Sequence, residues 1–184
     1  MRTAGTALER VAIVAASLAL SVALIALLSG YFAGHDPADV SGPAAGPGKA
    51  YRDLGDAALK PGQPRPAYDS SPPTSGAHRP EAVTRDDAPL NDDQLLQALQ
   101  AGDVVLMYGA HTTPPGLRAL SVTLAPPFSP ALAASGQAVI LARRTGIHGA
   151  VGLAWSHMIR VADARDPSLR AFAAFWLGRG APSG

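Results

Sequence analysis

The chain has 184 residues, a formal net charge of +1 and 16% charged residues. Such a near-neutral balance is not typical of a surface that binds nucleic acid, so we expect no nucleic-acid partner. Cysteine is absent, which excludes disulfides, thiolate metal sites, cysteine nucleophiles and anchoring through a lipidated cysteine.

An apolar segment at residues 11–33 is the first predicted element. Its 23 residues carry no charge and are rich in Ala, Leu, Val and Ile. As a helix they would extend about 35 Å, which is enough to cross a bilayer. A cleaved signal peptide is the rival interpretation, but its apolar core is usually about 7–15 residues. We therefore expect an uncleaved transmembrane helix.

The charges that flank this segment predict its orientation. Arg2 and Arg10 precede it, whereas Asp36 and Asp39 follow it. Because the more positive flank stays in the cytoplasm, we expect residues 1–10 to be cytoplasmic and the rest of the chain beyond the span to be extracytoplasmic. The predicted localisation is the cell membrane, single-pass, with the lipid bilayer as a partner of residues 11–33.

Residues 34–67 form a predicted linker. Their composition shifts to Pro, Gly and Ala with scattered charge, which interrupts regular structure. A flexible chain of this length would have a root-mean-square reach of about 30 Å. A short helical turn at residues 51–59, or packing of that stretch on the domain, is the alternative.

A shaped loop at residues 68–80 opens the predicted domain. Two prolines fix their own φ angles, Gly76 permits a turn, and several hydroxyls can bond the nearby backbone. The sequence therefore predicts a rigid loop that presents the imidazole of His78. A well-specified entry turn is the favoured interpretation of this loop, and a ligand or binding role for His78 is the functional alternative. The candidate binding residues are Thr74, Ser75 and His78.

Seven residues of this loop, Pro72-Pro73-Thr74-Ser75-Gly76-Ala77-His78, closely match the Pro-Pro-Thr-Ser-Gly-Pro-His signature of a bacterial family known as domain of unknown function 3105. The chain resembles that family over residues 68–182, including Ala154-Trp155 before an alternating segment and a final helix near Phe172. The resemblance implies a membrane-anchored protein with an extracytoplasmic domain.

A second motif of that family is degenerate in this chain. Members usually carry His-x-Leu-Glu-His-Gly just before the first strand, and the corresponding residues here are Gln97-Ala98-Leu99-Gln100-Ala101-Gly102. Leucine and glycine remain, whereas both histidines and the glutamate are replaced. If those family residues form a metal or catalytic site with the signature histidine, this chain retains His78 alone.

Regular patterns after the loop predict helices and strands. Asn91 is a plausible N-cap with Gln94 three residues later, and a leucine stripe follows until Gly102. Apolar or alternating runs predict strands near residues 104–108, 138–142, 150–155 and 157–162. Further helices are predicted at 114–124 and after Asp166-Pro167. We expect one α+β domain at residues 68–182, with a three- to four-stranded sheet packed with helices.

Two classes of function fit these features. The favoured one is a membrane-anchored binding or interaction module that recognises an unidentified envelope protein or ligand. The alternative is a copper- or zinc-binding domain, with Met107 or Met158 as soft copper ligands. Its candidate ligands are His78, His111, His148 and His157. No pair of these has a metal-site spacing such as i, i+4 on a helix, so no cofactor is predicted.

The sequence favours a protein that is not an enzyme. It contains no glycine-rich phosphate loop, no Gly-x-Ser-x-Gly elbow, no His-Glu-x-x-His motif and no calcium loop. A hydrolase built from Ser71 or Ser75 with His78 lacks a recognisable acid and oxyanion site. No catalytic residue is therefore predicted.

Overall fold

The computed structural model describes residues 46–182, which form a β-sheet with helices on both faces. In chain order the elements are β1 (Lys49–Ala50), α1 (Asp92–Ala101), β2 (Val104–Tyr108), α2 (Pro115–Leu124), α3 (Pro130–Ala134), β3 (Val139–Arg143), β4 (Ala150–Ala154), β5 (His157–Val161) and α4 (Pro167–Trp176). The α+β class is confirmed. Within the described residues the sheet has five strands in the order β1-β5-β4-β2-β3, one more than the upper prediction.

Strand β2 lies inside the sheet, as its continuous apolar sequence indicates. It pairs in parallel with β3 and antiparallel with β4, and all five of its residues are buried. Because side chains alternate along a strand, Val105 and Met107 enter one core while Val104 and Leu106 enter the other. One strand thus contributes to two hydrophobic cores.

Each face of the sheet is covered by a different pair of helices. Helices α1 and α3 pack on the face of Val105, where Leu95 and Leu99 of α1 are fully buried. Helices α2 and α4 cover the opposite face, and α4 contributes Phe172 and Trp176 there. Burial of each such side chain stabilises the fold by about 1.5–3 kcal/mol.

Helix α1 begins and ends where the sequence predicts. The Asn91 side chain accepts a hydrogen bond of 2.9 Å from the amide of Gln94, and the Gln94 side chain accepts one of 3.3 Å from the amide of Asn91. Gly102 ends the helix with φ of 114°, a left-handed conformation that suits glycine. A capping interaction of this kind contributes about 1 kcal/mol.

Helix α3 was not predicted, because a cluster of prolines precedes and begins it. Pro130 is the first residue of α3, where a missing amide proton costs nothing since the first amides of a helix have no partner within it. Ser129 caps the helix by accepting a hydrogen bond of 3.2 Å from the amide of Leu132. Proline therefore starts regular structure here instead of ending it.

Residues 46–67, predicted as part of the linker, lie on the domain. In β1, Lys49 pairs with Met158 of β5, and the indole of Trp176 donates a hydrogen bond of 2.9 Å to the carbonyl of Pro47. Farther along, Leu59 is 8% exposed. Composition alone does not reveal these contacts, because their partners lie far along the chain. The alternative in which residues 51–59 pack on the domain describes this stretch better.

The predicted transmembrane helix at residues 11–33, its cytoplasmic flank and the first part of the predicted linker lie outside the described residues. In residues 46–182, no helix has the length and apolar character needed to span a bilayer. The longest helices in that part of the chain have ten residues, which corresponds to about 15 Å.

Amide hydrogen exchange distinguishes a segment 46–67 that packs on the domain from one that is a flexible linker. The amide of Leu59 donates to the carbonyl of His78 at 2.8 Å, and the amide of Gly76 donates to the carbonyl of Gly55 at 2.9 Å. Both amides should exchange at least about tenfold more slowly than the amide of exposed Ala67, since tenfold corresponds to about 1.4 kcal/mol of opening free energy. Equal exchange at all three amides would contradict the packing.

Candidate functional site

The signature loop, residues 72–78, is buried in the domain. Thr74 and Ser75 have no exposed surface, and His78 is 2% exposed. The imidazole that the sequence predicts this loop to present is therefore enclosed by the domain and is not open to solvent. Its polar groups instead bond to neighbouring parts of the same domain, because a buried polar group without a partner is costly.

Ser75 fastens the loop to the segment that precedes it. Its hydroxyl accepts a hydrogen bond from the amide of Leu54 and donates one to the carbonyl of Arg52, both at 3.1 Å. The amide of Gly76 donates to the carbonyl of Gly55 at 2.9 Å. The signature serine and glycine therefore hold residues 52–55 on the domain.

Thr74 connects the loop to the hairpin between β4 and β5. Its carbonyl accepts a hydrogen bond of 2.9 Å from the amide of Ser156, a turn residue with a φ of 57°. The carbonyl of Ser156 in turn accepts a bond of 2.8 Å from the amide of Tyr51. The hairpin tip is thus held between the signature loop and the segment that follows β1.

The four candidate metal-binding histidines have different environments. His78 and His157 are buried, and each Nδ1 lies 2.9 Å from a backbone carbonyl oxygen two residues earlier. Because a carbonyl only accepts, Nδ1 carries the proton in both. The ring of His157 also stacks on Trp176, with 3.8 Å between ring centroids. His111 and His148 are exposed.

No group of three or more His, Cys, Asp or Glu residues within residues 46–182 is arranged to hold a metal ion. Met107 and Met158, considered as copper ligands, lie in the hydrophobic core of the α1 face. Thioethers in that position pack against apolar neighbours. Nothing in the described part of the chain favours the copper or zinc alternative.

A buried carboxylate fastens the end of the signature loop to α1. Asp93, in the first turn of α1, accepts a hydrogen bond of 3.1 Å from the amide of Arg79 and pairs with the guanidinium groups of Arg65 and Arg79. The hydrogen bond from Arg65 is the main reason that the pKa of Asp93 falls to about 2, against the opposing effect of burial. Asp93 therefore has a structural role, because both of its carboxylate oxygens are bonded to other residues of the domain.

A cavity of about 320 Å³ opens between α1, α3 and residues 80–83. This volume is at the small end of the range of about 300–1,000 Å³ that is typical of ligand pockets. Its buried base consists of Val83, Ala98, Asp103 and Ala133, and its more exposed wall of Pro80, Glu81, Ala82, Gln97, Ala101, Pro130 and Ala134. Small side chains dominate this lining, which leaves the space between the helices open.

Two positions of the degenerate motif line this cavity. Gln97 and Ala101, which correspond in the resemblance to the two histidines of the family motif, are four residues apart on α1 and share one face of the helix. The sequence showed both replacements. That the two positions border one cavity depends on how α1 packs against α3, which the motif does not reveal.

Asp103 is the functional candidate that sequence reasoning missed. It directly precedes β2 and is 1% exposed. Its Oδ1 accepts a hydrogen bond of 2.8 Å from the amide of Ala138, whereas Oδ2 has no partner among the described residues. Burial raises the pKa of this carboxyl to about 7. The available signal was a charged residue placed between a helix-ending glycine and a fully apolar strand.

Comparison with protein-family sequence models identifies a family. The sequence model of a family described as "Protein of unknown function (DUF3105)" matches residues 62–183, a range that contains the signature loop, both core-covering helix pairs and four strands of the sheet. The resemblance seen in the signature loop is confirmed. No curated protein and no solved structure matches the chain.

We expect the buried carboxyl of Asp103 to make stability depend on pH. Its pKa is raised from 3.8 to about 7, so the folded state holds this proton more tightly than the unfolded state does. The resulting stabilisation is complete below pH 4 and is lost as the pH rises to about 7. Asp103→Asn keeps an acceptor for the amide of Ala138, and from pH 4 to pH 8 it should gain about 4 kcal/mol of unfolding free energy relative to wild type.

Denaturant unfolding followed by tryptophan fluorescence measures this difference, since both tryptophans lie in the described domain. Asp163→Asn, which changes an exposed carboxylate, is the matched control and should show no such gain. A constant difference between wild type and Asp103→Asn from pH 4 to pH 8 would contradict a buried, proton-holding carboxyl.

Proposed function

The chain belongs to the DUF3105 family, and we propose that it is a membrane-tethered, extracytoplasmic binding module whose binding site is the cavity between α1 and α3. The observation that carries the proposal is this cavity, which is lined by motif positions Gln97 and Ala101 and by Asp103, a buried carboxyl with one oxygen that has no partner among the described residues. Pockets with apolar walls and a few polar groups are typical of small-molecule sites.

Because the signature loop is buried, the binding site is more accessible elsewhere in the domain. Its serine, threonine and histidine are committed to hydrogen bonds within the domain, so a ligand would have to break those bonds to reach them. The loop acts as a support: it holds residues 52–59 and the hairpin tip. The cavity offers surface that a ligand reaches without unfolding the domain.

The environment of Ser75 favours binding over hydrolysis. A nucleophilic serine needs a base that accepts its proton and space for a substrate. The hydroxyl of Ser75 instead donates to the carbonyl of Arg52, and the residue is fully buried. A backbone carbonyl cannot act as a general base, so this serine is held in a structural role.

The proposed membrane tether is inferred from the amino-terminal sequence. Residues 11–33 carry no charge, and their length as a helix matches the hydrocarbon thickness of a bilayer. The arginines before this segment favour a cytoplasmic amino terminus. In this arrangement the domain faces the envelope, where an exported ligand or an envelope protein is the partner.

Membrane fractionation with protease protection tests the tether. We expect the full chain, expressed in a bacterial host, to stay in the membrane pellet after alkaline carbonate washing and to lose its domain when protease is added outside spheroplasts. A variant lacking residues 11–33 is the control and should leave the membrane fraction. A domain that resists external protease until the cells are lysed would contradict the extracytoplasmic placement.

Filling the cavity tests the binding site. Ala101 is exposed on the cavity wall, so Ala101→Phe should occupy the space without disturbing the core. Ligand-observed NMR on the full chain in detergent, with a set of one-ring compounds, should detect binding that Ala101→Phe weakens at least about tenfold, a change of about 1.4 kcal/mol. Ala171→Phe, at an exposed position of α4, is the control. Equal effects of the two substitutions would rule out this cavity.

A further inference from the structure

The outer edge of β3 is covered by a short segment, residues 86–88, which we call the edge guard. The amide of Asp87 donates a hydrogen bond of 2.9 Å to the carbonyl of Leu141. The amide of Arg143 donates one of 3.3 Å to the carbonyl of Ala88, which forms a parallel bridge with β3. Because an uncovered strand edge pairs readily with another chain, the guard occupies backbone groups that a partner strand would otherwise use.

Pairing with β2 defines which groups of β3 face outward. Hydrogen bonds at the two ends of the ladder join β2 to Ala138 and Arg144. Since successive residues of a strand turn their backbone groups to opposite sides, the odd-numbered residues between these ends turn their amides and carbonyls away from β2: Val139, Leu141 and Arg143. The guard bonds to Leu141 and Arg143. Val139, which the hydrogen bonds of the guard do not reach, lines a recess of about 210 Å³ between the guard and α2.

The carboxylate of Asp87 fastens the edge guard to the domain, and we call it and its three partners the carboxylate lock. It accepts hydrogen bonds from the hydroxyls of Tyr108 and Thr113, and its Oδ2 lies 2.5 Å from a guanidinium nitrogen of Arg118. Asp87 has a φ of 59°, a left-handed conformation that is uncommon for residues other than glycine. Side-chain bonds that converge on one carboxylate thus hold the guard in an unfavourable backbone conformation.

The outward edge of β3 is complementary to itself. In an antiparallel pair of β3 strands centred on Leu141, each Val139 lies opposite an Arg143, and every outward amide meets a carbonyl of the second copy. The two Arg143 side chains fall at opposite ends of the pair, so like charges do not face each other. Such an interface uses the same surface on both copies and closes after two.

We infer that the edge guard controls self-association: when the carboxylate lock opens, the guard leaves β3, and two copies of the chain pair through their β3 strands as an antiparallel dimer. While the lock is closed, the guard occupies the edge and the copies stay apart. None of the residues of the guard, the lock or β3 lines the cavity between α1 and α3, so this inference is separate from the proposed binding function.

Hydrogen exchange of the full chain in detergent micelles, at low protein concentration, tests the lock. Asp87→Gly removes its side-chain bonds and suits a φ of 59°. The amides of Leu141 and Arg143 should exchange at least about tenfold faster in this variant, whereas the amide of Ile140, which faces β2, should be unchanged. Thr84→Gly, at an exposed position of the same segment, is the control and should behave as wild type.

A second variant separates the lock from the flexibility of glycine. Arg118→Gln breaks the ion pair with Asp87 and leaves the backbone of the guard unaltered. It should speed the exchange of the same two amides in the same direction as Asp87→Gly, but by a smaller factor. If Arg118→Gln exchanges as wild type does, backbone flexibility and not the lock controls the guard, which overturns the inference.

Spin labels at β3 test the dimer. The chain has no cysteine, so Arg143→Cys provides a single labelling site. In the antiparallel pair the two labelled residues lie four residues apart along the strands, about 14 Å, which is close enough to broaden the EPR spectrum. Concentrated Asp87→Gly should show this broadening, and dilution with unlabelled protein should remove it. A label at Ala171→Cys, on the exposed side of α4, should not be broadened.

Each contrary outcome overturns a defined step. Unchanged exchange at Leu141 and Arg143 in Asp87→Gly overturns the lock. Faster exchange without broadening at Arg143→Cys overturns the pairing of two copies. Equal broadening in wild type and Asp87→Gly overturns control by the guard, and broadening at Ala171→Cys assigns the contact between copies to a surface other than β3.

Discussion

The burial of β2 on both faces is the constraint on which the rest of the domain depends. A strand whose neighbouring side chains enter opposite cores requires helices on both sides of the sheet, and α1 with α3 and α2 with α4 provide them. Helix α1 meets this requirement with its leucines. Towards α3 it presents alanines, and small side chains between two helices leave space that neither helix fills.

The signature loop shows how a recognisable motif can be structural. Its serine bonds to two backbone groups of residues 52–54, its threonine carbonyl bonds to the hairpin tip, and Asp93 holds the residue that follows the signature histidine. These contacts join three segments that are distant in sequence. A loop with these contacts supports the rest of the domain, and two positions of the degenerate motif, Gln97 and Ala101, border the cavity beside α1.

Asp103 illustrates what it costs a fold to bury an ionisable group. A charged group between a helix end and a buried strand destabilises the folded state unless both oxygens are bonded or the group takes up a proton. The fold satisfies one oxygen through the amide of Ala138 and leaves the other, which is buried, without a partner among the described residues. Perturbed titration in a concave site is typical of functional residues, and here the geometry and the raised pKa coincide.

The sequence by itself determined the structural elements that depend on interactions between neighbouring residues. The cap at Asn91, the glycine after α1 and the apolar run of β2 specify their structures through neighbouring residues, and the loop signature identified the family. Only the tertiary structure decided that Lys49 and Ala50 form an edge strand, that His78 is buried, and that Gln97, Ala101 and Asp103 border one cavity. Each of these depends on partners many residues away, because burial and hydrogen bonding between distant segments leave no periodic pattern in either segment alone.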